Sequence, residues 1–256
     1  MKKIAVISDI HSNLCAFDAV LEDIHRRNVD AIYCLGDVIG YGPQPIECFN
    51  KAMKYCEVII KGNHEEGVID GPFGVTTIAR EAMLWTKKIM RPSFCSSLRK
   101  RRAWEYLQNL PISHTEDKLL FIHGCPQDPM EYLMERDTED IFGEIPQKIR
   151  EAFELVEQIC FIGHTHFPGI ITEGSEWFSI QNFDYEWEVD PHQKIVCNVG
   201  SVGQPRDRDC RACYATYDGK KIAYHRIPYD IKVTQQKIEV LPALNNYLAE
   251  RLEYGK

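Results

Sequence analysis

Lys3-Ile4-Ala5-Val6-Ile7-Ser8-Asp9-Ile10-His11 is the stretch from which the rest of the chain can be read. Its apolar run is unbroken by alternating polar residues, which suits a strand covered on both faces. The run stops at Ser8-Asp9. Residues 13–27 then set Leu14, Phe17, Val20, Leu21 and Ile24 at helical spacing. A second strand is predicted over Ala31–Leu35, a second helix over Pro45–Lys54 with proline near its start, and a third strand over Val58–Ile60. Strand, helix, strand, helix, strand in this order implies a parallel sheet covered by helices.

Residues 66–110 depart from that rhythm. Thr76–Met90 and Ser96–Gln108 read as helices separated by Arg91-Pro92, an expected helical insert or cap. Strands resume at Leu119–Ile122 and Ile159–Ile162. From Phe167 to Arg226 short β-like segments alternate with turns such as Glu173-Gly174 and Asp218-Gly219, which predicts a second, more antiparallel sheet. Leu241–Leu252 reads as a terminal helix. With no repeat and no low-complexity linker, one domain over residues 1–256 is expected.

A net charge of −8 disfavours a stable nucleic-acid complex, which would call for excess Lys and Arg. The apolar run at the start is too short for a signal peptide and meets Asp9 at once, and no stretch approaches the roughly 18 apolar residues of a membrane span. Ten cysteines without a secretory signal point to a reducing, cytoplasmic setting. Six of them (Cys15, Cys34, Cys48, Cys56, Cys160 and Cys197) sit in apolar or helical patterns, as small hydrophobes do. The lone pair Cys210-Arg211-Ala212-Cys213 has no second CxxC to complete a zinc site and reads as two unrelated thiols.

In open α/β sheets ligands gather beyond the carboxyl ends of the strands. The apolar runs here end in Asp9-Ile10-His11, Gly36-Asp37, Gly62-Asn63-His64-Glu65, His123-Gly124, Gly163-His164-Thr165-His166 and Asn198-Val199-Gly200-Ser201. This mixture of carboxylate, imidazole and amide suits Mn, Fe, Zn, Co or Ni better than Ca. The donors outnumber what one tetrahedral zinc would use, and they suffice for two ions sharing a carboxylate.

The ordered set Asp9-x-His11, Gly36-Asp37, Gly62-Asn63-His64-Glu65, His123 and Gly163-His164-x-His166 resembles the calcineurin-like metallophosphoesterase superfamily. Gly36–Pro43 and Asn198–Asp207 resemble a bacterial and archaeal branch related to diadenosine tetraphosphatases and serine/threonine phosphatases. The resemblance implies an α/β fold, a two-sheet α/β/β/α sandwich. It also implies two divalent ions, manganese foremost, with Fe, Zn, Co, Ni or Mg as other occupants. Asp9, His11 and His166 would hold the first ion; Asn63, His123 and His164 would hold the second. Asp37 would bridge them as a catalytic ligand, and His64 would face the leaving group.

Two such cations can polarise a phosphoryl group and activate a shared water, whose hydroxide attacks phosphorus in line with the departing oxygen. His64 protonating that oxygen would be general acid catalysis. The expected activity is metal-dependent phosphoester hydrolysis of a small substrate, with a lean toward diesters such as nucleotides. Phosphomonoesters, phosphoproteins and dinucleoside polyphosphates are alternatives, and a non-catalytic protein-binding scaffold is the alternative of another class.

Several residues carry two readings. Asn13 is a helix cap or a site residue. Gly40, Gly42 and Pro43 read as turn residues. Arg206 either clamps a substrate phosphate or pairs with Asp207. Tyr41 packs or stacks on a base, packing being favoured. Arg99-Lys100-Arg101-Arg102 reads as a solvated helix face. His25, His114, His192 and His225 read as surface or packing residues.

Overall fold

A computed structural model describes residues 2–139 and 143–256. Met1 and residues 140–142 belong to the expected domain span but lie outside the described residues. Two six-stranded mixed sheets face each other, with helices on both outer faces. In the first sheet β1 (Ile4–Ile7), β2 (Ala31–Cys34) and β3 (Val58–Ile59) are parallel, as their βαβαβ order requires. Helices α1 (Leu14–Arg26) and α2 (Pro45–Tyr55) make the crossovers.

The uninterrupted apolar run of β1 is explained by burial on both faces. Ile4 and Val6 point between the sheets, where they share a core with Phe121, Phe161, Ile170 and Cys197. Ala5 and Ile7 point outward beneath Phe17, Val20 and Phe49 of α1 and α2. The second sheet's outer face is closed by Ile149, Ala152 and Phe153 of α6 (Gln147–Glu154).

Four expectations need correction. First, the segment from Phe167 to Arg226 does not form a sheet of its own. Its strands β7 (Gly169–Thr172), β8 (Trp177–Ser179) and β10 (Ile195–Asn198) extend the second sheet beside β4 (Ser113–Glu116), β5 (Leu119–Ile122) and β6 (Ile159–Ile162). Strands β9 (Glu186–Glu188), β11 (Ala212–Tyr217) and β12 (Lys221–Ile227) extend the first. In the first sheet β11 runs antiparallel to β1 and ends the parallel half there, whereas in the second β10 runs parallel to β6 and continues it.

Second, Asn63 and His64 are not loop residues: they open helix α3 (Asn63–Asp70). Third, helix α7 (Ile231–Glu239) precedes the terminal helix. Fourth, that terminal helix is displaced to α8 (Tyr247–Tyr254). Between β3 and β4, α3 is followed by α4 (Thr77–Met90) and α5 (Leu98–Gln108). Among the described residues no helix is long and apolar enough to cross a membrane, and the ten cysteines are unpaired. The basic run on α5 is largely exposed, with Arg101 hydrogen-bonded to the carbonyls of Ser93, Phe94 and Ser96.

Candidate metal centre

The carboxyl ends of β1, β2, β3, β5 and β6 converge, and the loops leaving them, with the first turn of α3, bring Asp9, His11, Asp37, Asn63, His123, His164 and His166 together. All but Asn63 are buried. Three overlapping groups of side chains have ligand atoms close enough to share an ion: Asp9, His11 and His166; His11, Asp37 and His64; and Asp37, His123 and His164.

The two aspartates are held in the same manner. Asp9 Oδ2 accepts the His164 amide at 2.9 Å, and Asp37 Oδ1 accepts the His64 amide at 2.8 Å. Each thus turns its other oxygen toward imidazoles. Asp9 Oδ1 lies 3.0 Å from His166 Nε2 and 3.5 Å from His11 Nε2. Asp37 Oδ2 lies 3.7 Å from His11 Nε2 and 3.4 Å from His123 Nε2, so one carboxylate oxygen faces both halves of the cluster.

Backbone carbonyls fix the histidine tautomers, because a carbonyl can only accept. His123 Nδ1 donates to Leu35 O at 2.7 Å, His166 Nδ1 to Gln204 O at 2.5 Å and His11 Nδ1 to Ile39 O at 3.4 Å. Their Nε2 lone pairs therefore turn inward. His164 is reversed: Nε2 donates to Met130 O at 3.1 Å, which leaves Nδ1 as the ligand atom. Backbone-anchored imidazoles of this kind are the usual support of metal-ligating histidine.

The donor set fits cations. His11 Nε2 and His166 Nε2 stand 3.1 Å apart with lone pairs facing each other, and buried Asp9 Oδ1 accepts no hydrogen bond. Such convergence of electron-rich atoms is unfavourable unless a cation is shared among them. The charge states agree. Burial, joined by the charge of Arg206, pushes His166 down to about 3, and burial with His123 pushes His164 down to about 4, so both rings are neutral, as ligands must be. Burial acts to raise Asp37, but the charge on His123 outweighs it and holds the carboxyl below its usual range. Burial also opposes the charge on His123, yet Asp37 lifts that ring to about 9. An ion between these two would take the place of that proton.

The backbone around the candidate ligands is unusual. Asp9, His11, Asp37, His164 and His166 all have φ between 47° and 66°, the left-handed region that such residues seldom occupy. Hydrogen bonds from elsewhere hold them there. Asn198 Nδ2 donates to Gly163 O and to Thr165 Oγ1, both at 2.8 Å, and Ser201 Oγ donates to Asp9 O.

Glu65 is the support that sequence reasoning quoted without assigning. It is fully buried, and its carboxylate accepts the amides of Asp37, Ile39 and Gly62. One side chain thereby caps α3 and fixes the loop of Asp37. The Gly62-x-x-Glu65 spacing was the signal for it.

His64 lies between Tyr41, 4.3 Å away by ring centroids, and His11, 4.7 Å away. A Cβ on Gly40, whose φ is +89°, would fall 1.9 Å from His64 Nδ1, so only glycine admits the ring there. His64 Nδ1 is buried without a partner, and burial pushes the ring well below the usual histidine range.

Asn13 caps α1, accepting the Ala16 amide. Tyr41 packs against His11 and His64. Arg206 does not pair with Asp207, which is taken by Arg226; its guanidinium donates to Gln204 Oε1, and its Nε is buried without a partner. Arg251 of α8, which no motif flagged, shares this neighbourhood: burial, with the charge of Arg206, pushes it down to about 10. Of the outlying histidines, His25 and His192 are exposed, His114 packs against Tyr33 and Phe121, and His225 bonds Thr216 Oγ1 at 2.9 Å.

Comparison with known proteins gives a consistent result. The family model for the calcineurin-like phosphoesterase superfamily domain matches residues 1–221. An uncharacterised protein of Methanocaldococcus jannaschii, MJ0912, is 35% identical over 99% of this chain and 98% of its own length. A metallophosphoesterase from Sphaerobacter thermophilus superposes with a TM-score of 0.81 at 30% identity, covering 100% of this chain and 99% of that one. The hypothetical protein PH1004 of Pyrococcus horikoshii shares the fold, with a TM-score of 0.70 at 18% identity and the same coverage.

Proposed function

This chain belongs to the calcineurin-like phosphoesterase superfamily, and on that premise we propose that it is a binuclear metal-dependent phosphoesterase acting on diesters. Membership itself supports phosphoester hydrolysis with divalent metal ions. The observation that carries the finer reading is the position of Asp37 Oδ2, which faces His11 on one side and His123 on the other. A first ion would be held by Asp9, His11 and His166, a second by Asn63, His123 and His164, with Asp37 common to both. When bound, two such ions neutralise phosphoryl oxygens and make a nucleophile from water near neutral pH.

The protein's own groups do the rest. Asp9 and Asp37 bring two negative charges that ions would offset, leaving the rim receptive to a phosphate. Arg206, free of any carboxylate among the described residues, supplies a planar donor pair for a non-bridging oxygen. His64 is the proposed proton donor to the leaving oxygen. Its amide is bonded to Asp37, which ties its position to the shared ligand, and a bound phosphate's charge favours its protonated form.

Diesters are preferred because cavities border the ligand loops on two sides. One touches Asn63 and His164, the other Thr165 and Arg206, and a diester has two organic arms to place. Manganese is the proposed ion, as the mixed oxygen and nitrogen ligands suit it.

The test is hydrolysis of bis-p-nitrophenyl phosphate with Mn²⁺, set against p-nitrophenyl phosphate. The expected result is turnover of the diester with higher kcat/KM, abolished in Asp37→Ala. No turnover of either ester with any of Mn, Fe, Zn, Co, Ni or Mg would overturn the enzymatic reading in favour of a scaffold.

A further inference from the structure

One side of the metal centre opens into a cavity of about 490 Å³, within the range of small-molecule sites. Asn63 and His164 form its inner end. The walls come from two segments far apart in sequence: residues 66–83 of α3, α4 and the turn between them, and the loop carrying Met130 and Tyr132. Tyr132 stacks on His164, with centroids 4.0 Å apart and planes 7° apart, and Met130 accepts the hydrogen bond of the same imidazole. Met83 and Tyr41 add further apolar and aromatic surface. Apart from His164, the only charged or titratable side chains on the lining among the described residues are the two tyrosines and Glu66, which is exposed.

Phe73 is the unusual member. It stands in the Gly71-Pro72-Phe73-Gly74 turn at the cavity lip, 96% exposed, so its ring contributes almost nothing to packing. Tyr132, across the cavity, is 42% exposed. The Phe73 ring, which the fold does not use, and the half-exposed ring of Tyr132, one face of which is covered by His164, flank a space ending at the candidate ligands.

We propose that this cavity holds the planar base of a nucleoside arm on the substrate, stacked between Phe73 and Tyr132, while its phosphate lies at the metal centre. The assignment rests on the phosphoesterase reading. A carboxylate with no cation beside it on the lining excludes a second phosphate here, and Glu66 instead accepts a hydrogen bond from an amino or hydroxyl group. Stacking on an aromatic ring tolerates every base, so the cavity selects for a base without selecting among bases. Additional phosphates would lie on the side of Arg206 and Arg251.

Adenosine 5′-monophosphate and ribose 5-phosphate carry the same phosphate and differ by the base. As inhibitors of bis-p-nitrophenyl phosphate hydrolysis by the Mn²⁺-loaded enzyme, the nucleotide should bind about tenfold tighter, the lower part of the range for one stacked base. Phe73→Ala should remove most of that preference and leave ribose 5-phosphate inhibition unchanged; the exposed ring makes a folding defect an unsuitable explanation. Adenosine titrated calorimetrically into metal-free protein should bind, and bind more weakly to the variant. Equal inhibition by both ligands, or a preference that survives Phe73→Ala, would overturn the assignment while leaving the hydrolase reading intact. Should no ester be turned over, the hydrolase reading falls, and the adenosine titration alone then decides whether the cavity takes a base.

Discussion

The parallel strands run between two cavities of comparable size that differ in almost everything else. At the amino ends lies a space of about 630 Å³ bordered by Lys2, Tyr33, Glu116 and Leu119. Two of its polar groups are already matched: Lys2 Nζ pairs with Glu57 at 2.7 Å, and the Tyr33 hydroxyl donates to Glu116. At the carboxyl ends the cavity is smaller, yet the adjoining rim holds aspartates and histidines with converging lone pairs, a buried carboxylate oxygen without a donor, and five candidate ligands in the left-handed region. Volume therefore does not mark the functional end. The concentration of strained backbone and unmatched buried polar atoms does: five candidate ligands are left-handed at the carboxyl ends, against Asp117 on the amino-end lining, and each such feature costs on the order of 1–3 kcal/mol unless surrounding structure or a bound ion offsets it.

The comparison breaks most readily at His64. His64→Ala should lower kcat by roughly 10²–10⁴-fold for esters with poor leaving groups, with metal content retained. Loss of metal from that variant, measured by elemental analysis, would instead make His64 a ligand.

Glu65→Gln comes next. It swaps an acceptor of three amides for a group that must present an NH₂, so about 1–3 kcal/mol should be lost, several degrees in melting temperature. Metal affinity should fall by roughly 10–100-fold, as for other supports of metal ligands. Unchanged affinity would mean that Asp37 keeps its place without Glu65.

A half-buried histidine away from the rim sharpens the contrast. His225 bonds Thr216 and packs on Tyr214, and burial, then the charge of Arg27, holds it down to about 4. A depressed histidine contributes stability that is fully present above its unfolded value near 6.5 and lost as pH falls toward 4. Melting curves of His225→Gln should be flatter than wild type across that window, with metal content unaffected. An identical pH dependence would place the acid sensitivity elsewhere.

The smallest effect is expected at the amino ends. Tyr33→Phe removes the hydroxyl bonded to Glu116 and should cost about 0.5–1.5 kcal/mol with kcat/KM within twofold. A tenfold fall in kcat/KM would erase the distinction between the two ends.

Much of the placement was legible because, in the parallel half, the candidate ligands follow strands directly. Once Ile4–Ile7 reads as a strand buried on both faces, Asp9 and His11 fall at its carboxyl end, and the same holds for Asp37, His123 and the pair His164 and His166. The two-sheet sandwich followed from the family resemblance, not from periodicity. What escaped had non-local causes. Helix α3 has no capping side chain before it; Glu65 reaches back from its third position instead. Helix α7 has β-branched residues at Ile231, Val233 and Thr234, which weaken the helical signal, although Asp230 caps it and was readable. Strands β7 to β12 divide between two sheets by pairings that span most of the chain, such as Ile4 with Tyr217. Phe73, Tyr132 and Arg251 belong to no motif, and only the fold brings them to the rim.

The most direct test of the central claim is anomalous diffraction from crystals soaked in Mn²⁺. Two peaks about 3.5–4 Å apart on either side of the Asp37 carboxylate are predicted, with Asp9, His11 and His166 around one and Asn63, His123 and His164 around the other. A single peak, or two peaks that do not share Asp37, would contradict it.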